Sequence, residues 1–181
     1  MKIIFMSDIH GLYNNLNVIE KKIETEKIDK LVVLGDLYYS GPSYNGNFRI
    51  ESSKVKDFLT KYKEILICMK GNCDSDVDIK ASDFPICSGL SMLYIDGLNI
   101  YITHGNEYNI QKNRKFSNKD ILVYGHEHIP YIKKQNDQIF INVGSISFPK
   151  DGNLPTYMIY ENKNFTIYDI EGKIIDRLQI Q

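Results

Sequence analysis

Short apolar runs punctuate the chain at regular intervals, and most of them end in a polar residue beside a glycine. Lys2 to Met6 reads as a buried strand closed by Ser7-Asp8. From Leu12 to about Lys27, Leu12, Leu16, Ile19 and Ile23 recur at helical spacing among Asn, Glu and Lys. Lys30 to Leu34 follows as a second strand, closed by Gly35-Asp36. One amphipathic helix between two strands predicts a β-α-β unit with parallel strands. Its right-handed crossover brings both strand ends, and with them Asp8 and Asp36, to the same sheet edge. Tyr38 to Arg49, with Gly41-Pro42, Asn45-Gly46 and three tyrosines, is a loop leaving the carboxyl end of a strand, where α/β folds place ligands. Glu51 to about Tyr62 is a second helix with Ser52 or Ser53 as its N-cap, and Ile65 to Met69 is a third strand ended by Gly71-Asn72.

From Ser88 the texture changes. Ser91 to Ile95, Asn99 to Thr103, Asp120 to Tyr124 and Gln138 to Asn142 read as strands with little helix between them, and Asp96-Gly97 signals a hairpin. After Pro155, Thr156 to Tyr160, Asn164 to Ile170 and Lys173 to Ile180 continue the pattern, with Asn162 and Glu171-Gly172 as turns. The layout predicts one domain over residues 1–181: two sheets packed face to face with helices outside.

Composition adds little to this picture and excludes some alternatives. The 181 residues are 43% hydrophobic and 25% charged, ordinary for a soluble globular chain. A net charge of −1 supplies no strong field for nucleic acid or an anionic membrane. Cys68, Cys73 and Cys87 are odd in number and form no CxxC pair, which disfavours a disulfide framework and a structural zinc finger. No stretch reaches the length of a membrane span or a signal sequence, so a cytoplasmic location is expected.

The histidines change the picture most. All four lie within the motifs Asp8-Ile9-His10, His104-Gly105 and Gly125-His126-Glu127-His128, and Gly35-Asp36 and Gly71-Asn72-Cys73-Asp74 occupy equivalent strand ends. Spaced i and i+2 on an extended strand, Asp8 and His10 would face the same way, as would His126 and His128. Carboxylate, imidazole and amide donors make a ligand set suited to Mn, Fe, Co, Ni or Zn. Asp8, His10, Asp36, Asn72, His104, His126 and His128 exceed the needs of one ion, which predicts a two-metal catalytic site. Asp36 can bridge through its two oxygens, and Asp74 is expected to orient neighbours from behind. A nucleophilic Cys73 would need a base and an orienting group, and the histidines are already assigned.

The order D-x-H, G-D, G-N-C-D, H, G-H-x-H resembles the calcineurin-like metallophosphoesterase superfamily, and within it the compact bacterial YfcE-type phosphodiesterases. Gly41-Pro42, Asp74 to Asp78, Phe84-Pro85-Ile86 and Asn142 to Lys150 extend the resemblance from residue 2 to about 160. It implies an α/β/β/α sandwich, the metallophosphoesterase fold. It further implies one divalent ion held by Asp8, His10, Asp36 and His128, and a second held by Asp36, Asn72, His104 and His126. Mn2+ is the expected metal, with Fe, Ni, Co, Zn or Mg as alternatives. The implied reaction is hydrolysis of a small-molecule or nucleotide phosphodiester by a metal-bridging water or hydroxide. Asp36, Asn72 and His104 would serve as catalytic residues, with Cys73 and Gly41 near the substrate. Broader superfamily members carry histidine at the position of Cys73, where it assists the leaving group; its replacement points to diesters over monoesters. The alternatives are a phosphomonoesterase and a non-catalytic protein-binding scaffold, the role of a retromer subunit of this fold that lacks the full ligand set. A homodimer or homotetramer, with the 38–50 loop as one contact, is compatible with the sequence.

Overall fold

The protein is described from a computed structural model, which covers residues 1–39, 49–112, 116–117 and 119–181. β1 (Lys2–Met6) is apolar on both faces, as a central strand with partners on either side has to be. Its alternate residues serve two cores. Ile3 and Phe5 face the interior between two sheets, whereas Ile4 and Met6 face helices. α1 (Leu16–Thr25) leads to β2 (Lys30–Val33), and α2 (Ser52–Lys61) leads to β3 (Leu66–Met69). Leu16, Ile19, Val55, Phe58 and Leu59 on these helices close over Ile4, Met6, Leu31 and Val33. β1, β2 and β3 pair in parallel, as the β-α-β pattern predicts, so their carboxyl ends share one edge.

α3 (Asp76–Ala81) and β4 (Ile86–Cys87) complete this half. β5 (Leu90–Ile95), β6 (Leu98–Thr103), β7 (Ile121–Tyr124), β8 (Pro130–Gln135) and β9 (Gln138–Val143) form the second sheet, and β10 (Thr156–Glu161), β11 (Asn164–Asp169) and β12 (Ile174–Gln179) return to the first. Among the described residues the first sheet runs β12-β11-β10-β1-β2-β3-β4 and the second β5-β6-β7-β9-β8. Both are mixed. β10 joins β1 antiparallel, and β7 lies parallel to both β6 and β9. Val32, Leu34, Met69, Ile102, Val123, Ile141 and Phe165 fill the space between the sheets. On the outer face of the second sheet, Tyr108, Ile110 and Phe116 pack over Leu122, Tyr124 and Phe140.

Several local expectations are corrected. α1 starts at Leu16 instead of Leu12, because residues 11–15 form turns and the Asn15 amide donates to the Ile146 carbonyl at 2.7 Å. Neither Ser52 nor Ser53 caps α2: the N-cap is Glu51, and the Ser52 hydroxyl donates to the Tyr38 carbonyl at 2.9 Å. α3, β4 and β8 were not expected. α3 buries no residue and so carries no apolar stripe; its signature is the capping box of Ser75 with Asp78. β8 is an edge strand whose Lys133 and Lys134 are exposed, and it turns into β9 through Asn136 and Asp137, both at positive φ.

Phe165 is fully buried between the sheets, beside Tyr160 at a ring-centroid distance of 4.9 Å. Phe165→Ala is expected to lower stability by about 3–5 kcal/mol in urea unfolding. A loss below about 1 kcal/mol would contradict its place in the inter-sheet core.

Candidate metal centre

The expected ligands do not sit on extended strands. Asp8, His10, Asp36, His126 and His128 all have positive φ, between 52° and 65°, in the loops just past β1, β2 and β7. The strand alternation expected to align Asp8 with His10, and His126 with His128, therefore does not operate. Left-handed backbone at these non-glycine positions is held by the loops around them. The Asp8 and His10 amides donate to the carbonyls of Gly35 and Asp36 at 3.0 and 2.8 Å, stitching the first loop to the second. The His126 amide donates to Asp8 Oδ2 at 2.9 Å, and the Ser145 hydroxyl to the Asp8 carbonyl at 2.9 Å. Both sheets thus anchor the same loop.

Asp74 performs a similar function from below. Its buried carboxylate accepts from the amides of Asp36 at 2.9 Å, Leu37 at 2.7 Å and Gly71 at 2.8 Å, clamping the loops after β2 and β3 together. Burial, with the neighbouring Asp36 charge, outweighs these three donors and leaves its carboxyl above the usual range. The next loop approaches so closely that a Cβ on Gly71 would overlap the Asp36 carboxylate and amide.

Three imidazoles are oriented alike. His10 Nδ1 lies 2.6 Å from the Tyr39 carbonyl, His104 Nδ1 2.8 Å from the Leu34 carbonyl and His128 Nδ1 2.6 Å from the Phe148 carbonyl. A carbonyl only accepts, so each Nδ1 carries the hydrogen and each Nε2 presents its lone pair inward. Those Nε2 atoms meet carboxylates. His128 Nε2 is 3.2 Å from Asp8 Oδ1, His10 Nε2 is 3.8 Å from Asp8 Oδ1 and 3.7 Å from Asp36 Oδ2, and His104 Nε2 is 3.4 Å from Asp36 Oδ2. His104 Nε2 also lies 2.9 Å from the Asn72 amide oxygen and 3.2 Å from His126 Nδ1. Asp36 is central to these contacts: donor atoms of Asp8, Asp36 and His104 lie within 4.8 Å of one another, His10 and His128 adjoin Asp8, and Asn72 and His126 adjoin His104.

Electron pairs facing electron pairs require a cation or a proton between them. Asp8 Oδ1 and His10 Nε2 are buried with no hydrogen-bond partner, an expensive arrangement unless something else satisfies them. With protons alone available, burial would raise the Asp36 carboxyl, but the His104 hydrogen bond and charge outweigh it and hold the group at about 2. Burial would likewise lower His104, and its hydrogen bond to Asp36 with the charges of Asp8 and Asp36 raises it to about 9. The residues fit divalent ions: carboxylate oxygens, an amide oxygen and imidazole nitrogens, already oriented by second contacts.

The centre opens into a cavity of about 550 Å³ lined by His10, Asp36, Asn72, Cys73, His126 and His128, and by Ser147 to Lys150. Cys73 donates its amide to Asp36 Oδ1 at 2.8 Å, and burial, reinforced by the Asp36 charge, pushes its thiol up to about 12. Its sulfur lies within 4.8 Å of donor atoms on His10 and Asp36. Gly41, expected near the substrate, lies outside the described residues. The sequence assigned no role to Phe148 or Lys150. Phe148 packs on His10 at a centroid distance of 5.4 Å while its carbonyl orients His128, and Lys150 adds a cation to the cavity. The signal for both lay in the Gly-Ser turn after β9, which faces the same edge as the histidine loops.

The family model for the calcineurin-like phosphoesterase superfamily domain matches residues 1–164. The chain belongs to the calcineurin-like phosphoesterase superfamily. It is 29% identical over 175 residues to phosphodiesterase YfcE of Escherichia coli K12, covering 97% of this chain and 95% of that protein. A probable metallophosphoesterase of Bacillus subtilis, YsnB, is 27% identical over 190 residues, covering 99% of this chain and 97% of the relative. Among solved structures, Escherichia coli YfcE, described as a phosphoesterase, superposes with a TM-score of 0.94 at 29% identity over the whole of both chains. Vacuolar Protein Sorting 29 of Cryptosporidium parvum matches with a TM-score of 0.68 at 16% identity, covering 99% and 98% of the two chains, a likeness of fold alone. Family membership places the chain among phosphoesterases, and the two mixed sheets with flanking helices are the fold of its relatives.

Gly71→Ala is expected to cost roughly 1–3 kcal/mol in urea unfolding, since Asp36 cannot yield without breaking the Asp74 clamp. A loss below about 0.5 kcal/mol would show that the two loops are not locked together.

Proposed function

We propose that this chain is a two-metal phosphodiesterase whose ions are held by Asp8, His10, Asp36 and His128 on one side, and by Asp36, Asn72, His104 and His126 on the other. The observation that carries the reading is that Asp8 Oδ1 and His10 Nε2 are buried without a hydrogen bond, beside a cavity that His10 lines together with further donors. Divalent ions bound there would neutralise two phosphoryl oxygens and acidify an attacking water at neutral pH. The chain's own contribution is orientation. Backbone carbonyls fix three imidazoles with Nε2 inward, Asp74 holds the loop of Asp36, and Ser145 holds the loop of Asp8. Lys150 at the cavity would steady the additional negative charge that builds on the phosphoryl oxygens as water adds to phosphorus. Resemblance to a relative named as a phosphodiesterase supports diesters as the substrate class. Mn2+ suits the oxygen and nitrogen donors, and a cytoplasmic location with a small-molecule or nucleotide substrate completes the reading. Among the described residues no helix is long and apolar enough to cross a membrane.

Exhaustive EDTA treatment should abolish hydrolysis of bis-p-nitrophenyl phosphate, and added Mn2+ should restore it. Full turnover by protein shown to be metal-free by elemental analysis would rule the reading out.

Asp36→Asn, which alters the ligand shared by both groups, should lower kcat at least about a hundredfold. Cys73→Ala should stay within about tenfold of the parent, because the thiol has no base assigned to it. The comparison is made at equal metal occupancy. A drop of about a hundredfold in Cys73→Ala would make the thiol a participant in the reaction.

A further inference from the structure

A second cavity, about 630 Å³ in volume, lies beside the metal centre and is bounded by α2, α3 and the segment after β2. Its described walls include Tyr38, Tyr39, Ser53, Lys56, Cys73, Asp78 and Ala81. Cys73 lines both cavities, so the two spaces meet at its side chain. Tyr39 connects them a second way: its carbonyl orients His10, while the residue, 49% exposed, also lines the second cavity. Tyr38 is a fixed wall, buried and tied through its hydroxyl to Ser82 at 2.8 Å.

The chemistry of these walls selects the occupant. Two tyrosines, Ala81, the Cys73 thiol and the stem of Lys56 offer apolar and aromatic surface, with serine hydroxyls spaced between them. Such a mixture suits a planar ring with a few polar substituents. Aromatic side chains stack on nucleobases with little regard to base identity. The Lys56 ammonium is paired with Asp83 at 3.0 Å and is the one cation among the described walls, which leaves them little positive charge for a second phosphate. The volume is in the range of pockets that hold drug-sized ligands, and a nucleoside falls within it.

We propose that this side cavity binds one ester arm of the substrate, and that the arm is a neutral, ring-bearing group of nucleoside type. The inference rests on the phosphodiesterase reading of the adjoining centre and names its substrate class. A diester seated at the metal centre sends one arm past Cys73 to lie against Tyr38 and Tyr39. Ser53 on α2 and Ala81 on α3 sit at exposed positions on the cavity wall, where a larger side chain fills the space without entering the core.

The test uses two competitive inhibitors of Mn2+-supported hydrolysis that differ only in the arm: inorganic phosphate and adenosine 5′-monophosphate. For the parent protein the nucleotide should inhibit at least tenfold more tightly than phosphate. In Ser53→Trp, and independently in Ala81→Trp, that ratio should fall to within twofold, with the inhibition constant of phosphate unchanged. Calorimetric titration of both compounds into Mn2+-loaded protein gives the same ratio without turnover. A parent ratio near one, or a ratio that survives both tryptophan variants, overturns the side-cavity assignment while leaving the phosphodiesterase reading intact. Absence of metal-dependent hydrolysis in the parent protein overturns that reading instead.

Discussion

Two buried carboxylates, Asp8 and Asp36, stand at the ends of adjacent parallel strands, and their described ion-pair partners are all histidines. Buried like charge without a lysine or arginine beside it is costly, and much of the architecture answers that cost. Backbone amides are turned towards both side chains: His126 donates to Asp8, and Cys73 to Asp36. Imidazoles are turned with their lone pairs inward, which worsens the electrostatics unless a cation arrives. Protons on the rings, as on the raised His104, or cations between the donors answer that cost.

The five left-handed residues are the second expression of the same demand. Each of Asp8, His10, Asp36, His126 and His128 takes a backbone conformation that side chains usually avoid. Extended backbone would have carried these side chains along the sheet faces, into either the helices or the inter-sheet core. Curling the loops instead aims them over the sheet edge, where one cavity collects donors from both sheets. Strain at these positions is offset by the amide contacts that cross between loops, with Asp74 alone accepting three.

Much of this was legible in the sequence. Central strands bury both faces and therefore read as continuous apolar runs, so β1, β2, β7 and β10 lay close to where the pattern set them. The crossover rule alone brought Asp8 and Asp36 to one edge. The residues that gather at the candidate centre were picked out through residue type and company, yet the geometric reason given for their alignment was wrong: i and i+2 spacing suggests an extended strand, while the loops are left-handed. α3 and β8 escaped for a different reason. Neither buries a face, and hydrophobic periodicity is blind to elements held by caps and by edge pairing. Phe148 acts largely through a backbone carbonyl, which no residue type announces.

Distance along the chain gives the His126–Asp8 contact a meaning in time. The two residues are 118 positions apart, and Ser145 closes on the same loop from 137 positions away. During synthesis Asp8, His10 and Asp36 emerge early, and no nascent chain ending before residue 126 contains a full set of the proposed ligands. Their negative charge must wait, solvated, until the second sheet has been made and docked. An ion held by the proposed ligands would bind only once both sheets are in place, and by mass action it would favour that state over every incomplete one. Under the proposed reading the site would also be the fold's own check on completion.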